Sequence, residues 1–190
     1  NNNRYTDAYG PANLSTVTVR SFTVPSGVII ATPIVANGYV YVGDYNQGQF
    51  YQFNASNVSQ KIANFSMAFS SIQASAAVAN GYVYIGSMQN SKFYQLNASN
   101  ISRQIASFSA PGLGEIPSSP VVANGYVYFG ETGYGLVIQL NASNVSKYIA
   151  NFSTGNSITS SPAVANGYLY IGSNNGWLYQ LNASNISKQI

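Results

Sequence analysis

Thr32-Pro33-Ile34-Val35-Ala36-Asn37-Gly38-Tyr39-Val40-Tyr41-Val42-Gly43 decides how this chain is read, because it returns three more times. The copies run Ser75 to Gly86, Ser119 to Gly130 and Ser161 to Gly172. Their Asn-Gly steps begin at Asn37, Asn80, Asn124 and Asn166, at intervals of 43, 44 and 42 residues. A period in the forties belongs either to a helical-pair solenoid or to a small sheet repeated around an axis. The residue types choose the sheet. Nothing follows a 3.6-residue period, and Gly, Asn and β-branched residues punctuate every stretch.

Each repeat reads as four strands. Ile34-Val35-Ala36 is apolar, Asn37-Gly38 tolerates positive φ at both central turn positions, and Tyr39 to Val42 is aromatic and β-branched, which together signal a two-residue hairpin. A polar connection from Asp44 to Gly48 precedes a third strand, Phe50-Tyr51-Gln52-Phe53. Asn54-Ala55-Ser56-Asn57 supplies turn formers, and a fourth strand is expected at about Lys61 to Phe65. Tyr alternates with Val or Ile rather than with polar residues, so both faces of each sheet are expected to be buried, as radially stacked blades require. The repeats fall at about 24–66, 67–109, 110–153 and 154–190, preceded by a tail and a closing or donated strand over 1–23.

The run Ser161-Pro162-Ala163-Val164-Ala165-Asn166-Gly167-Tyr168-Leu169-Tyr170-Ile171-Gly172-Ser173-Asn174-Asn175-Gly176-Trp177-Leu178-Tyr179-Gln180-Leu181-Asn182-Ala183 resembles the PQQ-like (quinoprotein-type) β-propeller repeat. That family's pattern is a strand, Val-Tyr-Val-Gly-Ser, a short Asp/Asn-Gly loop, then Leu-Tyr-Ala-Leu-Asp-Ala. The resemblance extends from about Asn13 to Ile190. It implies an all-β propeller of four-stranded antiparallel blades, and four blades are few for the family, so a part of a larger or oligomeric propeller is implied too. It says little about function, since the fold hosts dehydrogenases, outer-membrane assembly scaffolds and surface proteins alike. The tandem Asn-Ala-Ser-Asn-x-Ser form also resembles repeats in archaeal surface proteins. Members that use the quinone need a Glu/Asn/Asp calcium site, a catalytic Asp and often adjacent cysteines, whereas this chain has no Cys and no His. It also lacks the tryptophan that ends each repeat in the tryptophan-docked subgroup; its one Trp, Trp177, stands in a loop position.

Composition argues against catalysis. Asp7, Asp44, Glu115 and Glu131 are the only acidic residues, and they fall in different repeats or in the tail. Carboxylate acid–base chemistry needs two near one bond, and calcium wants several oxygen ligands. Asp44 and Glu131 occupy related loop slots, which leaves open a pair across the central channel or two solvated loop charges. Without His or Cys, the usual general base, the thiolate nucleophile and most zinc sites are missing. No catalytic residue, cofactor or metal is therefore expected, and the chain is read as a non-enzyme.

The net charge of +3 is not a nucleic-acid footprint. Lys61, Arg103, Lys147 and Lys188 are read as one recurring slot beside Asn-x-Ser at the start of the outermost strand, where a cation discourages stray strand pairing. The tyrosines in register, Tyr39, Tyr82, Tyr126 and Tyr168 with Tyr41, Tyr84, Tyr128 and Tyr170, are read as packing between blades rather than as a stacking platform.

Asn-x-Ser sequons are dense: Asn13, Asn54, Asn57, Asn64, Asn97, Asn100, Asn141, Asn144, Asn151, Asn182 and Asn185. Eight lie in the third-to-fourth-strand turns. A tight turn explains the first Asn of each tandem, but not a second sequon in every copy. With 6% charged residues, glycans would keep a Tyr-rich surface soluble, so N-glycosylation is expected. The opposite face carries most differences between repeats. Asp44, Tyr45, Met88, Glu131, Tyr134 and Trp177 are its candidate partner contacts.

At the ends, Asn13-Leu14-Ser15 and Val17 to Phe22 align with the turn and fourth strand of a blade, while Asn185 to Ile190 starts another fourth strand. Such ends suggest a longer propeller, or strand exchange between copies that closes a ring or runs on as a filament. The reading is an extracellular or cell-surface structural or adhesive glycoprotein. Its partners are its own copies, a surface protein or a glycan, with no nucleic acid and no membrane span. The alternative is a segment of a quinoprotein-like enzyme or ligand-binding propeller whose active residues lie elsewhere.

Overall fold

The computed structural model describes residues 19–25, 27–68, 70–109 and 112–188. Four antiparallel sheets follow one another along the chain. Blade 1 is β1 (Ile34–Ala36), β2 (Tyr39–Gly43), β3 (Gln49–Asn54) and β4 (Asn57–Ser66). Blade 2 is β5 (Ala77–Ala79), β6 (Tyr82–Gly86), β7 (Phe93–Asn97) and β8 (Asn100–Phe108). Blade 3 is β9 (Val121–Ala123), β10 (Tyr126–Gly130), β11 (Leu136–Asn141) and β12 (Tyr148–Ser153). Blade 4 shows β13 (Ala163–Ala165), β14 (Tyr168–Gly172) and β15 (Leu178–Asn182) among the described residues. Strand order equals chain order in every sheet, so each blade is an up-and-down meander, with the innermost strands of successive blades side by side.

The first hairpins form as their chemistry requires. Asn37 and Gly38 have φ of 52° and 80°, and the Asn-Gly steps at 80, 124 and 166 repeat this left-handed pair. Asn tolerates that region and Gly enters it without a Cβ clash. The outer strands are longer than expected in two blades. β4 and β8 begin at Asn57 and Asn100, directly after the turn, and absorb the mismatch as irregular register beside Phe53 and Leu96. That register also corrects the cation slot. Lys61 pairs with Phe53, Gln104 with Leu96 and Tyr148 with Leu140. Lys61 thus lies one position beyond the slot that Arg103, Lys147 and Lys188 share with Gln60. All four cations are exposed.

One set of contacts joins each blade to the next. From blade 1, Tyr41 Oη and Gln52 Nε2 donate to the Ala98 carbonyl of blade 2, and the Ile101 amide donates back to Gln52 Oε1 at 3.2 Å. Blade 2 grips blade 3 identically through Tyr84, Gln95, Ala142 and Val145. Blade 3 grips blade 4 through Tyr128, Gln139, Ala183 and Ile186. The amides of Thr32, Ser75 and Ser119 donate to the hydroxyls of Ser75, Ser119 and Ser161. Glycine makes the seam close: a Cβ on Gly43, Gly86 or Gly130 would lie 2.3, 2.3 or 2.2 Å from Cγ2 of Ile72, Ile116 or Ile158. Each seam encloses one apolar cluster, so the core is a series of layers between blades.

Tyr41, Tyr84 and Tyr128 are buried in these layers, as expected for packing aromatics, and their hydroxyls are satisfied. Burial pushes each phenol up to about 12.

At the N-terminal side, Val19 to Phe22 forms no strand, while Asn13 to Thr18 and Gln189–Ile190 lie outside the described residues. Phe22 nevertheless takes the place expected of an outer-strand residue. It packs on Tyr51 with ring centroids 5.8 Å apart, as Phe65 packs on Tyr94 at 5.2 Å and Phe152 on Tyr179 at 5.4 Å.

Candidate functional site

The two β2–β3-type loops that carry carboxylates are the natural place to seek chemistry, and both carboxylates are fully buried. Glu131 follows β10 and turns back under its own loop. Its Oε2 accepts the Gly114 and Gly133 amides at 2.7 and 2.6 Å, and its Oε1 accepts those of Tyr134 and Leu136 at 3.0 and 2.6 Å. Glycines permit the approach: a Cβ on Gly114 or Gly133 would lie 2.9 Å from Oε2. Asp44 does the same in blade 1, with Oδ1 accepting Val28 and Asn46 amides and Oδ2 that of Gln47. A carboxylate ringed by amide donors is a loop clamp whose lone pairs are already used.

The other two repeats build the clamp without charge. Ser87 Oγ binds within its loop to Asn90 and Lys92, and Asn90 Nδ2 donates to the Met67 carbonyl and Tyr94 Oη. Asn175 Nδ2 donates equivalently to the Thr154 carbonyl and Tyr179 Oη in blade 4. The slot Asp44, Ser87, Glu131 and Ser173 is therefore one structural position filled by three residue types. Asp44 and Glu131 are each engaged by their own loop and by the linker before their blade.

Of the six candidate partner contacts, Asp44, Met88 and Glu131 are buried, while Tyr45, Tyr134 and Trp177 are exposed. The Tyr134 ring lies against Gly112, where a Cβ would come within 2.1 Å of Cε2. Trp177 sits beside Tyr179, with centroids 6.5 Å apart. Loop and linker share one face, because the amides of Tyr45, Met88, Thr132 and Asn174 donate to linker carbonyls of Val28, Ser71, Glu115 and Ser157.

The opposite face carries the sequons. At Asn54, Asn57, Asn97, Asn100, Asn141, Asn144, Asn182 and Asn185 the Oδ1 accepts both the amide and the hydroxyl of the serine two residues on. These are Asx turns, the local bond that Asn forms in place of a ladder. Asn64 and Asn151 lie exposed on outer strands, and Asn13 falls outside the described residues. A groove of about 300 Å³ between blades 1 and 2 opens on this face, lined by Asn37, Tyr39, Gly81, Asn97, Ala98 and Ser99, with no charged group among them.

Among solved structures, BamB from Moraxella catarrhalis superposes with a TM-score of 0.69 at 16% identity, over 83% of this chain and 47% of its own. The quinohemoprotein alcohol dehydrogenase of Comamonas testosteroni does so with a TM-score of 0.70 at 14% identity, over 82% of this chain and 33% of its own. The fold is a β-propeller. The computationally designed Ika4 protein matches too, with a TM-score of 0.71 at 9% identity, over 87% of this chain and 98% of its own. The chain spans about half the length of BamB. No family profile and no curated protein matches it by sequence, so the likeness to archaeal surface repeats finds no support. One neighbour is an alcohol dehydrogenase and another a computational design, so the fold alone assigns no reaction. No helix of the described residues is long and apolar enough to cross a membrane.

Proposed function

We propose that this chain is a non-catalytic structural or adhesive β-propeller glycoprotein of the cell exterior. The rim of tandem sequons carries the reading: every blade presents two Asn-x-Ser units on the same turn, with the serine hydroxyl bonded to the asparagine carbonyl oxygen. An exposed, locally ordered turn is where an acceptor asparagine must stand. A surface with so few charges needs another source of hydration, which glycans provide. The carboxylates point the same way, because Asp44 and Glu131 spend their lone pairs on backbone amides rather than facing a channel. Contact with partners then falls to exposed side chains of the loop face and to the blade faces themselves.

Glycopeptide mapping of protein from its own host tests this reading. Sugar masses on Asn57, Asn100, Asn144 and Asn185 are expected, and a chain unmodified at all four overturns the glycoprotein assignment.

A further inference from the structure

Three seams inside the chain define what a blade face needs, and the fourth blade's outward face meets none of it. Leu178 is 74% exposed, whereas Phe50, Phe93 and Val137 at the same position are 0–1% exposed. Gln180 is exposed and makes no side-chain hydrogen bond among the described residues, whereas Gln52, Gln95 and Gln139 are fully buried and bonded. A Cβ on Gly172 would meet only Ser160, at 3.5 Å or more, where its counterparts each carry an isoleucine.

Blade 1 presents the missing half. Ala55 is exposed, while Ala98, Ala142 and Ala183 are buried as acceptors of the Tyr and Gln bonds. Ile29 is 46% exposed, although the equivalent Ile72, Ile116 and Ile158 are fully buried on glycine. Val35, beside them on the innermost strand, is 68% exposed. Both halves stand open in one molecule, so the four blades do not close on themselves.

We propose that a second copy of this chain covers this face, its blade 1 docking on blade 4 in the register of the internal seams. Tyr170 Oη and Gln180 Nε2 then donate to the Ala55 carbonyl, the Val58 amide donates to Gln180 Oε1, the Ser161 amide donates to Thr32 Oγ1, and Ile29 lies on Gly172. This deepens the structural role proposed above by naming the partner. The chain carries both complementary surfaces with the same residue types that already mate three times, which no unrelated partner is required to match. Phe22 on Tyr51 and Val24 beside it already occupy the place of a preceding blade's outermost strand. Blade 4 therefore needs to supply only its inner strands to the seam, and three are formed there among the described residues. BamB, of which this chain covers 47%, shows that the same fold accommodates roughly twice this length.

Sedimentation of the purified chain and of two variants tests the seam. Gly172→Val blocks the blade-4 side, its Cβ coming only to ordinary contact distance of Ser160 in the monomer, and Ile29→Glu blocks the blade-1 side at an exposed position. The wild-type chain is expected at twice 20.2 kDa or a larger multiple, and each variant at the monomer mass with its melting temperature unchanged from wild-type monomer. An equimolar mixture of the variants should recover a pair and nothing larger, because one intact half survives on each. A wild-type chain that sediments as a monomer overturns the proposal while leaving the sequon reading intact. Variants that associate like wild type, or a mixture that stays monomeric, also overturn it.

Discussion

Replacing Glu131 by Gln keeps the shape of the side chain and turns one acceptor oxygen into an NH2 donor. In the native loop Oε2 accepts from Gly114 and Gly133 and Oε1 from Tyr134 and Leu136, all four bonds between 2.6 and 3.0 Å. A glutamine offers one oxygen, so its amide NH2 must face two backbone N–H donors in a buried loop. Two orphaned amides at about 1–3 kcal/mol each give a loss of about 2–6 kcal/mol, with the upper part favoured because the lost bonds are charge-assisted. A domain stable by about 5–15 kcal/mol would show this plainly in urea denaturation followed by circular dichroism. Asp44→Asn supplies the internal comparison. Among the described residues its Oδ2 accepts from Gln47, so an amide turned that way orphans that donor and costs about 1–3 kcal/mol. A Glu131→Gln chain within about 0.5 kcal/mol of wild type, the range of ordinary surface changes, would refute the clamp.

Other consequences follow from the seams. Gly86→Ala places a Cβ 2.3 Å from Ile116 Cγ2 and should destabilise by about 1–3 kcal/mol in calorimetry, and an unchanged transition would deny that close packing. Gln95→Ala strips the Val145 amide of its acceptor and should lower stability by about 1–3 kcal/mol, whereas Gln180→Ala should leave the monomer's melting unchanged. Tyr41, Tyr84 and Tyr128 ionise near pH 10 when unfolded and at about 12 when folded. Above pH 10 the unfolded chain binds fewer protons, so the stability these phenols confer is intact below pH 10 and is lost as pH rises towards 12. Melting temperatures measured from pH 9 upward should fall through that window, less steeply in Tyr84→Phe; a flat profile counts against burial of the hydroxyls.

The hairpins were legible because their chemistry is local: Asn37-Gly38 dictates the turn whatever surrounds it. The clamp was not, since the path of the loop, rather than any pattern in the sequence, decides that Glu131 meets amides from Gly114 as well as from its own loop. The glycines at 112, 114, 133 and 135 marked close backbone approach there and were the available signal. The strands carry a stronger signal. Gln52, Gln95, Gln139 and Gln180 each interrupt an apolar strand at one position, and a polar side chain repeated inside a core must be bonded. Following it leads to the seam and to its unmatched fourth copy. The cation slot slipped by one residue because Lys61 follows Gln60, where Arg103 and Lys147 follow Ser102 and Ser146 directly.

Electron microscopy of the uncrosslinked wild-type chain tests the central claim most directly, that four blades leave one seam for another copy to complete. The account predicts rings or fibres in which every blade boundary is alike and Gln180 of one copy faces Ala55 of the next. Isolated four-blade discs, with Gln180 seated on the Ala55 carbonyl of its own chain, would contradict it.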